Sequence, residues 1–340
     1  MVRLLVHELN PKLPAYKMLT PMKLSVAVAT FNGEPHLAEQ LHSIRAQTRL
    51  PYEVILVDDA STDGTRLVAE GFARTSPIPV RIIRNETNSG STSAFGRAIA
   101  ACTGEVVVLA DQDDVWRPYK LEMLATALAD QPEAAFAFSD AELVDEKLQP
   151  LGHRLWEAIR FREPEQRRFR CGGGFECLLR RHRVTGATMA FRAAFRDRIL
   201  PIPEGWVHDA WIALILSATS PCAFVAEPLI EYRQHSNQQQ GARMRSLLGE
   251  FQAARSLTAA ECESVSDRFE EALRRLEQFD DVPLVRLARL REKIEHHRRR
   301  ARLRESGRWR LPGVLLDVLR GRYSRFDQGW KTIAQDLLLK

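Results

Sequence analysis

Leu24-Ser25-Val26-Ala27-Val28-Ala29 is an almost wholly apolar, partly β-branched run that stops at Thr30-Phe31-Asn32-Gly33, a turn sequence. A short continuous run of this kind, bounded by turn residues, predicts a strand buried on both faces. Pro35 then sits where a first helical turn tolerates proline, and Leu37, Leu41 and Ile44 recur at helical spacing. The pattern repeats downstream. Val54–Val57 predicts a second strand, Asp58–Gly64 a loop and Thr65–Arg74 a helix; Val80–Ile83 predicts a third strand, Ser91–Ala101 a helix and Val106–Ala110 a fourth strand. Short apolar strands alternating with amphipathic helices predict an α/β fold with a parallel sheet covered on both faces. Ligands of such sheets gather outside the carboxyl ends of the strands, so the residues just after each strand matter most.

The whole chain is compatible with this reading. Its 340 residues, 45% of them apolar, are enough for one large domain or two modest ones with a sizeable core. The net charge of +5 does not by itself suggest nucleic acid. The charge is unevenly placed: Val282–Lys340 holds 16 Lys and Arg against 6 Asp and Glu. Five cysteines without a C-x-x-C pair or zinc-like histidines suit a reducing cytosol. No apolar run approaches the roughly 18 to 20 residues of a membrane span, and the first twenty residues lack a signal-peptide core. Residues 1–22, with Pro11, Pro14 and Pro21, read as a poorly ordered lead-in.

Three strand ends converge on chemistry. Thr30-Phe31-Asn32 follows the first strand, Asp58-Asp59 the second, and Asp111-Gln112-Asp113-Asp114 the fourth. Crowded carboxylates are costly unless donors or a cation compensate them, and Mg²⁺ or Mn²⁺ does so with one or two carboxylates plus phosphate oxygens. Asp58 and Asp59 read equally well as caps of the loop ahead of Thr65. Neither a dinucleotide fingerprint nor a P-loop occurs at the first strand-to-helix turn, so a metal-bridged diphosphate is the expected way of holding phosphate.

The series Val26–Asn32, Val57–Gly64 and Leu109–Trp116 resembles family 2 glycosyltransferases from about Leu24 to Gly241. The resemblance implies a GT-A fold, a Rossmann-like nucleotide-binding mixed sheet flanked by helices, over residues 23–241. Residues 23–115 would form the nucleotide-binding half and 116–241 the acceptor half. It implies a nucleoside-diphosphate sugar, dTDP- or UDP-linked, bound through Thr30, Asn32, Asp58, Asp59, Asp111 and Asp113, with a divalent cation at Asp113 and Asp114. Val184–Phe191 resembles the family segment between donor and acceptor, where Thr185 and Gly186 are the candidates; a buried strand with a Gly bulge accounts equally for its apolar positions. Trp206–Trp211 opens a helix through Ala218. Asp209 in its first turn reads as a dipole partner by position and, by the resemblance, as the general base of an inverting transfer. Glu231–Asn237 resembles a Tyr-Arg-x-His-x-Asn block of bacterial polysaccharide transferases, which puts Arg233 and His235 near the diphosphate or its metal; His235 reads equally as a hydrogen-bonding loop residue.

Between these motifs, Trp116–Ala129 predicts a helix, Ala135–Ser139 a strand and Asp140–Gly152 a polar connection. Residues 242–340 predict a helical, basic and amphipathic region: two long helices from Ser246 to about Arg304, broken at Pro283, then an aromatic and leucine-rich stretch with basic flanks. Residues 308–340 fit an interfacial helix on the cytoplasmic face of the inner membrane, and equally a segment packed on the catalytic domain or between two copies. Block and tail together resemble rhamnosyltransferases of O-antigen or capsule assembly, acting on a lipid-linked glycan acceptor. A noncatalytic scaffold on the same fold and a sugar nucleotidyltransferase are the competing readings. The latter would want a basic Gly-rich loop after the first strand, where Thr30–Glu34 offers no basic residue.

Overall fold

A computed structural model describes residues 22–235, 258–305 and 310–338. Residues 1–21 of the predicted lead-in, the boundary at 241/242, the first part of the predicted helix from Ser246, and Ser236, Asn237, Arg308 and Trp309 lie outside them. In chain order the elements are β1 (Leu24–Thr30), α1 (Leu37–Arg45), β2 (Glu53–Asp58), α2 (Thr65–Thr75), β3 (Val80–Arg84), α3 (Ser91–Ala101), β4 (Val106–Ala110), β5 (Val115–Trp116) and α4 (Lys120–Asp130). There follow β6 (Phe136–Val144), β7 (Pro150–Arg154), α5 (Leu155–Ala158), α6 (Glu163–Arg170), α7 (Gly174–Arg180), β8 (Met189–Arg192), α8 (Arg196–Ile199), α9 (His208–Ser217) and β9 (Cys222–Arg233). The last helices are α10 (Ala259–Leu276), α11 (Leu284–Glu305), α12 (Arg310–Leu319), α13 (Arg322–Phe326) and α14 (Trp330–Leu338).

The strands form one sheet in the order β3-β2-β1-β4-β8-β6-β9-β5, with β7 paired to β6. β1 and β4 are buried along their whole length, which is why they carry apolar runs without alternation. Strands β3, β2, β1 and β4 are parallel, as predicted; beyond β4 the sheet is mixed, since β8 runs antiparallel to both β4 and β6. Register pairs Thr30 with Asp58 and Val28 with Ala110, so the loops after β1, β2 and β4 leave the sheet at one edge.

Two predicted boundaries differ. Trp116 is not helical: Val115–Trp116 pairs with Ile230 and Glu231 of β9, Arg117 donates its N–H to the Leu229 carbonyl at 2.9 Å, and the helix starts only at Lys120. Pro118 accounts for this, since the residue before proline is kept out of the helical region. The predicted polar connection 140–152 is instead the continuation of β6 to Val144 and the strand β7. Asp140 can sit buried there because its Oδ1 accepts the N–H groups of Ala141 at 2.8 Å and Trp156 at 3.0 Å.

The C-terminal helices join the same core. Ala272 and Leu276 of α10 and Leu287, Leu290 and Ile294 of α11 pack into the main apolar cluster, with the predicted break at Pro283 between the two helices. The Trp206 indole N–H donates to the Arg268 carbonyl at 3.0 Å, and the fully buried Lys293 ammonium donates to the Leu179 carbonyl at 2.6 Å. These contacts clamp the helical region onto the half of the sheet that carries α7 and α9.

Candidate functional site

The loops at the strand ends are tied together by side chains that donate and accept across long sequence distances. Thr30 Oγ1 and the Phe31 N–H both donate to Gln112 Oε1, at 2.7 and 2.8 Å, and Gln112 Nε2 returns a bond to the Phe31 carbonyl at 3.1 Å. Asn32, in a left-handed conformation with φ of 47°, accepts the Thr62 N–H at 2.9 Å, while its own N–H donates to Ser61 Oγ at 2.9 Å. Gln112 and Ser61 thus fix where Thr30 and Asn32 stand; neither is singled out by sequence.

The two carboxylates after β2 differ in surroundings. Asp58 is buried; its Oδ1 accepts the Ser61 N–H at 3.0 Å, as a loop cap would, and Arg84 approaches its Oδ2 at 3.8 Å. Asp59 accepts from Asn85 Nδ2, from the Ser89 N–H and hydroxyl, and from the Gly90 N–H. Burial pushes the Asp59 carboxyl up, but these hydrogen bonds outweigh it and leave its pKa lowered. Ser89 and Gly90 also line a cleft of about 860 Å³ between the start of α3 and the loop Leu200–Trp206.

At the end of β4 lies the acidic group. Asp114 is fully buried; its Oδ1 accepts the Arg233 N–H at 3.1 Å, and its Oδ2 has no protein partner. Asp113 Oδ2 faces His235 Nε2 at 2.8 Å. Arg233 in this structure faces inward: it donates to the carbonyls of Asp113 and Glu146 and to the Glu39 carboxylate, bracing the acidic loop. His36, just before α1, has its ring centroid 5.4 Å from that of His235; burial first, then the charge of Arg233, lowers its pKa.

Burial and the charges of Asp113 and Asp209 push Asp111 up to about 8, and burial with Asp113 and Asp111 raises Asp114 as well. The cation both of them feel is Lys120, fully buried, whose ammonium donates to the Ala187 carbonyl at 2.6 Å and lies 3.6 Å from the Trp116 ring centroid. Nothing in the sequence distinguishes Lys120 within the helix predicted over Trp116–Ala129; its burial comes from the fold.

Among the described residues, no three His, Cys, Asp or Glu side chains converge as a ready-made metal cage. The donor set still fits a hard divalent ion that arrives with phosphate oxygens, because such an ion needs only one or two protein carboxylates and the unpartnered Asp114 Oδ2 and the raised carboxyls mark a deficit of positive charge.

Asp209 stands in the first turn of α9, and its placement depends on the turn Gly186–Thr188. The Gly186 N–H donates to Asp209 Oδ2 at 2.8 Å, and His182 Nε2 lies 3.4 Å from Oδ1. Burial alone would raise this carboxyl, but the charge and hydrogen bond of His182, with His208 and the Gly186 amide, hold it well below the usual carboxylate range. A Cβ on Gly186 would come within 2.6 Å of His208 Nε2, so glycine is what lets the turn approach. His208 is itself held by stacking on Phe95, ring centroids 4.0 Å apart. Thr185 precedes the turn and closes it through its carbonyl, which accepts from Thr188 Oγ1 at 2.7 Å. His182 is distant in sequence from Asp209 and lies in no motif, so the sequence does not announce it.

A model of the family described as Glycosyl transferase family 2 matches residues 25–195, half of the chain. The putative teichuronic acid biosynthesis glycosyltransferase TuaG of Bacillus subtilis is 30% identical over 128 residues, 38% of this chain and 50% of that protein. Over the curated relatives it matches, the chain spans between 32% and 50% of their length. Among solved structures, S. aureus TarS 1-349 in complex with UDP-GlcNAc superposes with a TM-score of 0.57 at 16% identity, covering 93% of this chain and 89% of that one. The mannosyltransferase PcManGT from Pyrobaculum calidifontis, in complex with GDP-Man and Mn²⁺, superposes with a TM-score of 0.51 at 20% identity over 93% and 85% of the two chains. These two likenesses show a common fold.

Proposed function

The chain belongs to glycosyl transferase family 2, and from that premise we propose that it transfers a sugar from a nucleoside diphosphate to a glycan acceptor of the cell surface, inverting the anomeric configuration in a single displacement. The observation that carries the mechanism is the Asp209 carboxylate, kept ionised by His182 and the Gly186 amide and close enough to the acidic strand end for its charge to be felt at Asp111.

Asp209 acts as the general base. It takes the proton of the acceptor hydroxyl as that oxygen attacks the anomeric carbon and the bond to the diphosphate breaks. A carboxylate of low proton affinity suits a late transfer, when the attacking oxygen has become acidic. Asp59 fixes the Ser89–Gly90 loop, and Thr30 and Asn32 shape the floor through Gln112 and Ser61. Asp113 with His235, and the unpartnered Oδ2 of Asp114, are the groups we assign to a divalent cation. Mg²⁺ or Mn²⁺ held there would neutralise charge on the departing diphosphate. The mannosyltransferase that shares the fold is in complex with GDP-Man and Mn²⁺, which supports a divalent cation as cofactor. Arg233 serves as the brace of that loop.

The resemblance of the Tyr232–His235 block and the basic tail to rhamnosyltransferases makes rhamnose the sugar to test first, on a dTDP- or UDP-linked donor. A lipid-linked acceptor would place the enzyme at the cytoplasmic face of the inner membrane, met through residues 308–340. Among the described residues no helix is long and apolar enough to cross a membrane.

Two measurements test the reading. Thermal shifts with dTDP, UDP, GDP, CMP and ADP, with and without Mn²⁺, should show one nucleotide stabilising the protein in a metal-dependent way. Asp209→Asn should lower transfer by about a thousandfold while that nucleotide shift stays the same. Full transfer by Asp209→Asn would remove Asp209 as base, and no shift with any nucleotide would remove the donor assignment.

A further inference from the structure

The three terminal helices divide their residues sharply between an inner and an outer face. On α12, Val314 and Asp317 are buried, whereas Leu311, Leu315 and Leu319 are 69%, 58% and 77% exposed. Their i, i+4, i+8 spacing makes them one ridge, which Val318 and Leu316 widen. Trp330, at the start of the α14 helix that packs on α12, is 70% exposed. An apolar ridge of this kind on a folded surface marks an interaction site.

Charge tells what covers it. Between Ser306 and Lys340 the chain has seven Lys and Arg but only three acids, Asp317, Asp327 and Asp336. All three acids are turned inward. Asp317 pairs with His296 and Arg322, Asp327 with His296 and Arg300, and Asp336 with Arg300 and Arg304. The inner network therefore absorbs all the negative charge of the segment; Arg325 pairs with Glu292 of α11, and the exposed Arg320, next to Leu319, leaves the outer side apolar and basic. A second copy of this chain would bring the same positive sign to the contact. A surface with an apolar interior and anionic headgroups complements both features.

We propose that α12, with Trp330, docks on an anionic lipid surface through the ridge Leu311–Leu315–Leu319, and that the buried ion pairs under it exist to hold this face outward. The choice of acceptor rests on the transferase reading, but the docking face is independent of it. The experiment is cosedimentation of the full chain with phosphatidylcholine vesicles, with and without phosphatidylglycerol, at low and high salt. Binding should require phosphatidylglycerol, weaken with salt, and fall at least about tenfold in the double variant Leu315→Glu, Leu319→Glu. Arg320→Glu should weaken it several fold, about fivefold or more for a reversed charge near the headgroups. Both substitutions lie at exposed positions, so the melting temperature and the nucleotide-induced shift should not move. Equal binding by the double variant, or binding to neither vesicle, overturns the proposal. So does a wild-type dimer that Leu315→Glu, Leu319→Glu converts to monomer without any vesicle affinity, since a second copy would then be the occupant. A nucleotide shift without vesicle binding would leave the transferase reading standing and remove only this one.

Discussion

Lys120→Met isolates the electrostatics of the acidic strand end. The ammonium has no solvent exposure, gives a 2.6 Å hydrogen bond to Ala187 and is the cation that both Asp111 and Asp114 feel. Methionine keeps the length of the side chain and nearly its volume, so the loss is one of charge rather than packing. Burial lowers the Lys120 pKa against the pull of Asp114 and Asp111, which lie near it without a direct ion pair, so the loss is that of a charge-assisted hydrogen bond and a nearby cation, about 2–3 kcal/mol. At about 2 °C per kcal/mol for a chain of this size, the melting temperature of the metal-free protein should fall by about 4–6 °C. Asp114→Asn in the same chain removes a carboxyl that Lys120 favours in its ionised form, so the double variant should regain part of the loss, with a coupling of about 1–3 kcal/mol in a denaturant-based double-mutant cycle. The reasoning is refuted if Lys120→Met costs only about 1 kcal/mol, the worth of one neutral hydrogen bond, and the two substitutions add. Lys120 would then be neutral in the fold and no counter-charge at all.

Gly186→Ala should lower kcat by about tenfold or more with nucleotide binding unchanged, since the new Cβ meets His208 Nε2 at 2.6 Å and Asp209 Cβ at 3.4 Å and must move the amide that holds Asp209; unchanged kcat would show that this amide does not position the base. Asp59→Asn should destabilise by about 1–3 kcal/mol at neutral pH, because it gives up the charged acceptor of Asn85, Ser89 and Gly90. The folded pKa of Asp59 lies below its unfolded value near 3.9, so its stabilisation is present above that pH and fades as the pH falls further; urea titrations of both proteins from pH 6 to 3 would show the gap closing. His297 is buried with both ring nitrogens unpartnered, and burial, with Lys293 and Arg300, lowers its pKa well below the ordinary value against the pull of Asp327. Unfolding then takes up a proton below pH 6.5, so stability falls with pH by up to about 1.4 kcal/mol per unit from this residue. His297→Leu should flatten the loss of melting temperature between pH 7.5 and 5.5, and an identical slope in that variant would assign the loss elsewhere.

The contrast between what the residues announced and what the fold supplied has one physical cause. Strands β1, β2, β3 and β4 and the helices between them are legible within a residue or two because each buried face is written as a continuous apolar run ended by turn residues. The continuous apolar run of β6 stops before Asp140, yet Asp140 is satisfied by the Trp156 N–H, sixteen positions on, which no local pattern discloses. The same asymmetry governs the site. Asp111, Asp113 and Asp114 stand out in the sequence because carboxylates crowded at the end of an apolar strand are costly and ask for compensation; Asp209 stands out only through the family resemblance. What the fold brings around them is invisible at that level: Lys120 is held by Ala187, Gln112 by Thr30, and Arg233 by Glu39, each pair separated by more than sixty residues. The tail repeats the point at the scale of a segment. Its basic and leucine-rich composition suits a membrane, a dimer and a packed helix alike, and only the inward turn of Asp317, Asp327 and Asp336 separates the face that is consumed by packing from the face left to be covered. Residues that create a cost are thus readable from the chain, and those that relieve it become readable once the fold has brought them near.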